Sequence, residues 1–104
     1  MAGEPPPPHR LMPLIRRLAV QGAVKYSSHA IDDRMPDRGF DTDDVETLLT
    51  QGDIEGEIRA GDDEDEWVCT VVGLLSWTCR EAGVVTVVCG QSSLIIVTVE
   101  WIDP

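Results

Sequence analysis

Two runs near the end of this chain, residues 84–89 (VVTVVC) and 94–101 (LIIVTVEW), are apolar at almost every position. A strand that buries one face alternates apolar and polar residues, whereas a strand covered on both faces does not. Both runs are rich in β-branched side chains, which suit extended backbone. They read as the central strands of a sheet. Only Gly90-Gln91-Ser92-Ser93 separates them, a short turn. Residues 67–74 form another β-branched run, and residues 54–60 alternate roughly, as an edge strand would. Serial strands with short connections imply an antiparallel meander of four.

Upstream the period changes. Leu11, Leu14, Ile15 and Leu18 fall at i, i+3, i+4 and i+7, which predicts a helix over about residues 10–21. Pro13 is tolerable in its first turn and Gly22 is a good stop. Residues 23–28 look extended. A second, short helix is expected over residues 29–35, capped by Ser28 and ended by Pro36, with Gly39 in a turn. Asp41 or Thr42 caps a third helix that turns Val45, Leu48 and Leu49 inward and closes at Gly52. The Pro-rich residues 1–9 (MAGEPPPPH) read as a disordered tail. The expected architecture is α+β: two to three N-terminal helices packed on a four-stranded antiparallel sheet, in a single domain over residues 10–104. No apolar run reaches the roughly 18 residues of a membrane span. No charged and then apolar leader is visible. The expectation is a cytoplasmic protein with no membrane contact.

Charge narrows the partners. The net charge is −11, which argues against a basic nucleic-acid coat. Residues 41–66 hold twelve acids and only Arg59 against them, whereas residues 1–40 are slightly basic. The densest stretch is Asp62-Asp63-Glu64-Asp65-Glu66. It is either a solvated hairpin loop or a docking patch for a basic protein. Cys69, Cys79 and Cys89 are spaced by 10 and form no C-x-x-C pair, so they read as buried, reduced thiols in strands rather than metal ligands. No cofactor is expected. Trp67 and Trp101 fit strand packing. Trp77 falls in a loop, where core burial is favoured over a surface for partners or bases.

Residues 26–40, YSSHAIDDRMPDRGF, carry the most chemistry. His29 lies where an extended segment feeds a helix. Arg34 and Arg38 are spaced i, i+4 on one helical face, and with Lys25 they can frame an anion site. One imidazole and two guanidiniums suit phosphodiester cleavage: the imidazole moves a proton, and the guanidiniums hold the phosphate and its developing charge. The competing reading is structural. Asp32, Asp33 and Asp37 can simply pair with the arginines, and His29 can cap the helix or pack on Tyr26.

The pattern Y-S-x-H-A, R-M-x-x-R-G, then an acid-capped helix DDVETLLTQGDI, resembles the bacterial domain-of-unknown-function family numbered 4258. The closing IIVTVEW is similar to that family's last strand. The resemblance implies a small ribonuclease-like toxin fold of the group that holds RelE and barnase, found near toxin–antitoxin and polymorphic-toxin genes. It implies a metal-independent endoribonuclease; the candidate catalytic residues are His29, Arg34 and Arg38, and the candidate substrate-binding residues are Lys25, Tyr26 and Thr98. This chain departs from the pattern in three ways. One extra residue separates H-A from R-M, which on an α-helix turns Arg34 and Arg38 from His29 by about 100°. Glu100 stands where the family often has Tyr, and no histidine starts the third strand. The alternative is a non-catalytic acidic binding protein, an inhibitor, antitoxin-like partner or nucleic-acid mimic, docking through Asp62, Asp63, Glu64, Asp65 and Glu66. A third reading is a small housekeeping domain that its acidic loop merely solvates.

Overall fold

The computed structural model describes residues 3–102. The outermost residues of the expected tail and domain, 1–2 and 103–104, lie outside them. Helix α1 is Pro8–Val20, starting two residues before the expected helix. Pro8 occupies its first position, where a missing N–H costs nothing and the fixed φ is already helical. The Pro7 carbonyl accepts from the N–H groups of Arg10 and Leu11. A short strand β1, Val24–Tyr26, follows. The chain then forms a π-helical turn, His29–Arg34, which runs directly into α2, Met35–Arg38. Helix α3 is Thr42–Gln51. Asp41 caps it in a reciprocal capping box with Asp44, as an acid at that position should.

Four long strands complete the chain: β2 Asp53–Ala60, β3 Glu66–Leu75, β4 Arg80–Cys89 and β5 Ser93–Trp101. They form the expected antiparallel meander, but the sheet has five strands, in the order β1-β5-β4-β3-β2. The fifth is β1, which pairs in parallel with β5, Val24 opposite Leu94 and Tyr26 opposite Ile96. Three residues are too few to show a period of two, and their partner lies far along the chain, so no local pattern marks this pair. Strand β4 starts well before the apolar run at residue 84, because the β3–β4 hairpin turns only at residues 76–79.

Two irregularities shape the sheet. Strand β2 bulges between Glu55 and Arg59, with Gly56 at φ 79° supplying the left-handed residue. Strand β5 bulges where Val85 faces Thr98 but Thr86 faces Ile96, leaving Val97 as an extra residue. The Ser27 hydroxyl donates to the Val97 carbonyl at 3.0 Å, and the Ser27 N–H donates to the Ile96 carbonyl at 2.9 Å. The segment after β1 is thereby tied to the free edge of β5.

Helices α1 and α3 cover one face of the sheet. Ile15 and Leu18 of α1 and Val45, Leu48 and Leu49 of α3 meet Val71, Val84, Val88, Leu94, Ile96 and Val99, all essentially inaccessible to water. Burial of each such side chain contributes about 1.5–3 kcal/mol. Arg16 fastens α1 to the start of β2, its guanidinium donating to the Gly52 carbonyl and Asp53 carboxylate, both at 3.1 Å. No helix among the described residues is long and apolar enough to cross a membrane.

Candidate functional site

An α-helix brings residues i and i+4 together, so His29 and Arg34, five apart, should diverge. They do not. The turn between them closes i→i+5 hydrogen bonds, as when the Met35 N–H donates to the Ala30 carbonyl. The wider turn absorbs the extra residue, and Arg34 Nε donates to His29 Nε2 at 3.0 Å. The expected rotation of Arg34 away from His29 is therefore corrected.

The cap also differs from expectation. Ser28 makes no capping bond. Ser27 does: its hydroxyl oxygen accepts from the Ala30 N–H at 3.0 Å while its proton goes to Val97. Pro36 does not end the helix. It sits in the first turn of α2, and the helical path runs on to a left-handed Gly39 at φ 78°.

The bonding fixes the tautomer of His29. A guanidinium can only donate, so Nε2 carries the lone pair and Nδ1 carries the proton. Nδ1 faces the Asp33 carboxylate at 3.7 Å, an i, i+4 contact. The imidazole thus lies between the Asp33 carboxylate and the Arg34 guanidinium, with about half its side-chain surface in solvent. It lines an open depression of about 690 Å³ with Asp32, Asp33, Arg34, Pro36 and Asp37.

The other expected site residues stand apart. Arg38 does not line the depression; its Nη1 pairs with Asp37 at 3.3 Å. Lys25 is exposed on β1 opposite Ile95. Tyr26 lines a different pocket with Thr42 and Glu46. Its phenol is held above its usual pKa by burial, and then by the negative charges of Glu46, Asp41 and Asp43. Those acids make it a poor phosphate contact. Thr98 lies beside the β5 bulge, opposite Val85. Glu100 is exposed opposite Gly83. Asp62, Asp63, Glu64 and Asp65 form an exposed turn between β2 and β3, and Glu66 opens β3 half-buried.

Sequence reasoning missed an aromatic group at the end of the helical layer. Phe40 stacks on Trp101 with ring centroids 4.6 Å apart, and the Arg80 guanidinium lies 4.2 Å over the Trp101 ring. Trp101 Nε1 donates to the Arg38 carbonyl at 3.2 Å. Trp77 packs edge-on to Trp101 and is 61% exposed, correcting the expectation of core burial. Its Nε1 donates to Asp44 Oδ1 at 2.8 Å. Partners so distant in sequence leave no local signal.

The cysteines divide. Cys69 is buried, and burial pushes its thiol up to about 12, which leaves it inert. Cys89 is half-buried in β4. Cys79 is not in a strand: it is exposed in the β3–β4 turn at φ 57°. Among the described residues no group of three or more His, Cys, Asp or Glu side chains is placed to hold a metal.

No curated protein matches the chain, and no solved structure matches it. One family profile does, the domain of unknown function DUF4258, over residues 26–101. The matched segment starts at Tyr26, at the end of β1, and ends at Trp101, the last residue of β5. It takes in the π turn, α2, α3 and the whole meander. By that match, which covers most of its length, the chain belongs to the DUF4258 family.

Proposed function

We propose that this protein is a metal-independent endoribonuclease whose proton-transfer group is His29. The observation that carries the reading is the His29–Arg34 contact at 3.0 Å, held by a π turn with Asp33 behind the ring. Such turns are rare and recur at functional sites. In the proposed reaction an RNA phosphate draws Arg34 off Nε2. The freed lone pair takes the proton of the ribose 2′-hydroxyl. The 2′-oxygen attacks phosphorus, the P–O5′ bond breaks, the 5′-oxygen takes a proton from water, and the hydroxide left takes the proton held by His29. The products are a 2′,3′-cyclic phosphate and a free 5′-hydroxyl. Arg34 neutralises the charge that builds on the phosphate oxygens. Asp33 holds the imidazole in the tautomer that presents Nε2 and stabilises the imidazolium that forms.

Induced expression in bacteria and incubation of purified protein with RNA test this. Growth arrest, RNA fragments ending in cyclic phosphate, and a loss of about 100-fold or more in His29→Ala are expected. Intact RNA with the wild-type protein would sink the reading. A second reading is favoured by Asp32, Asp33 and Asp37 in the same depression, which oppose a phosphate. On that reading the protein is a non-catalytic acidic binder, and intact RNA is its expected result.

A further inference from the structure

The helices cover only one face of the sheet, and the strand registers define what lies on the other. One row across it is Lys25, Ile95, Val87, Val68 and Arg59. The next is Thr98, Val85, Thr70 and Glu55. Beyond it Val72 faces Gly83, and Ile102 folds over Gly83 while staying 43% exposed. Ile95, Val87, Val68 and Val85 are half-buried by one another and by Thr70 and Thr98, and they take no part in the core cluster. Three rows extend about 13 Å along the strands. That is enough to seat one helix of about 10 Å diameter.

The rim of this face is acidic. Glu66 and the exposed Asp62, Asp63 and Asp65 stand at one end, Glu100 at the other, and Glu55 on β2. Among the described residues of this face, only Lys25 and Arg59, on the two edge strands, are basic. A second copy of a chain of net charge −11 would bring its own acids against this rim, and RNA would bring phosphates. A partner with an apolar stripe flanked by lysine or arginine meets complementary charge. We propose that this open face is the docking surface for a basic amphipathic helix of a protein partner. The apolar side chains would sit on Val87, Ile95 and Val68, and the basic ones would reach Glu66, Glu100 and the 62–65 turn. This surface is separate from the His29 depression, so the proposal stands or falls independently of RNA cleavage.

The test titrates the full chain with a leucine–lysine amphipathic peptide of about 14 residues, roughly 21 Å as a helix. A leucine–glutamate peptide and an all-lysine peptide serve as comparisons, and heat of binding is the readout. Binding of the leucine–lysine peptide alone is expected, weakening as salt rises. Val87→Asp should reduce it at least about tenfold, whereas Val20→Asp, on exposed α1 surface, should not. Val87→Thr keeps the β-branched shape at a half-buried position and should weaken binding with the fold retained, which its circular dichroism checks. Absence of binding at low salt overturns the proposal. So does equal binding of the all-lysine peptide, or indifference to both Val87 variants. Sedimentation showing a wild-type dimer that Val87→Thr dissociates would assign the face to a second copy instead. RNA binding lost in the same variant would assign it to nucleic acid. Either result overturns the proposal.

Discussion

Single side chains here do several jobs at once, and Asp44 is the clearest case. Its backbone N–H donates to Asp41 Oδ1, its Oδ2 accepts from the Asp41 N–H, and its Oδ1 accepts from the Trp77 indole. One carboxylate therefore starts α3 and pins the β3–β4 turn to it. Asp44→Ala keeps the Asp41 cap but removes the bonds to the Asp41 N–H and the Trp77 indole, and should destabilise the protein by about 1–2 kcal/mol. Denaturant unfolding with tryptophan emission as the probe checks this, and the native emission should also shift as Trp77 loses its partner. Ser27 is similarly placed, accepting from Ala30 and donating to Val97. The capping role of residue 41 was legible because acids before a helix obey a local rule. The link from Asp44 to Trp77 was not, because nothing within a few residues encodes it.

Among the elements, the π turn holds the most information about the site. An inserted residue in an α-helix either shifts everything after it or is absorbed in one wide turn. Here it is absorbed, which keeps His29 and Arg34 in contact and passes the chain on to Pro36 without demanding its missing N–H. Deleting Asp32 should restore an ordinary turn with Arg34 four residues from His29. Thermal unfolding should then show a melting temperature no lower than wild type, and higher by about 4–8 °C if relieving the turn is worth 1 kcal/mol. The sequence made the helix visible and the identity of its polar residues plain. It did not reveal the hydrogen-bond period, because His29, Asp33 and Arg34 look alike on paper in either geometry. The long strands were legible from their β-branched runs. Residues 23–28 read as extended, but the pairing of β1 with β5 was not legible, since the partner strand lies far along the chain.

For the molecule as a whole, charge and connectivity set the behaviour. A net charge of −11 on one small domain, with most of the acids in residues 41–66, strains the folded state by self-repulsion. Added salt should raise the melting temperature, and scanning calorimetry across a salt series checks this. A salt-independent transition would place the acids too far apart to matter. The parallel β1–β5 pair has a different consequence, one of timing. Val24 must wait for Leu94 to be synthesised before it has a strand to join, and Ser27 must wait for Val97. On the ribosome the meander from β2 onward can pair as each hairpin emerges, because its contacts are local. The segment holding His29 can dock only when β5 has left the tunnel. The candidate site is therefore completed only after the meander, although its residues are translated before it.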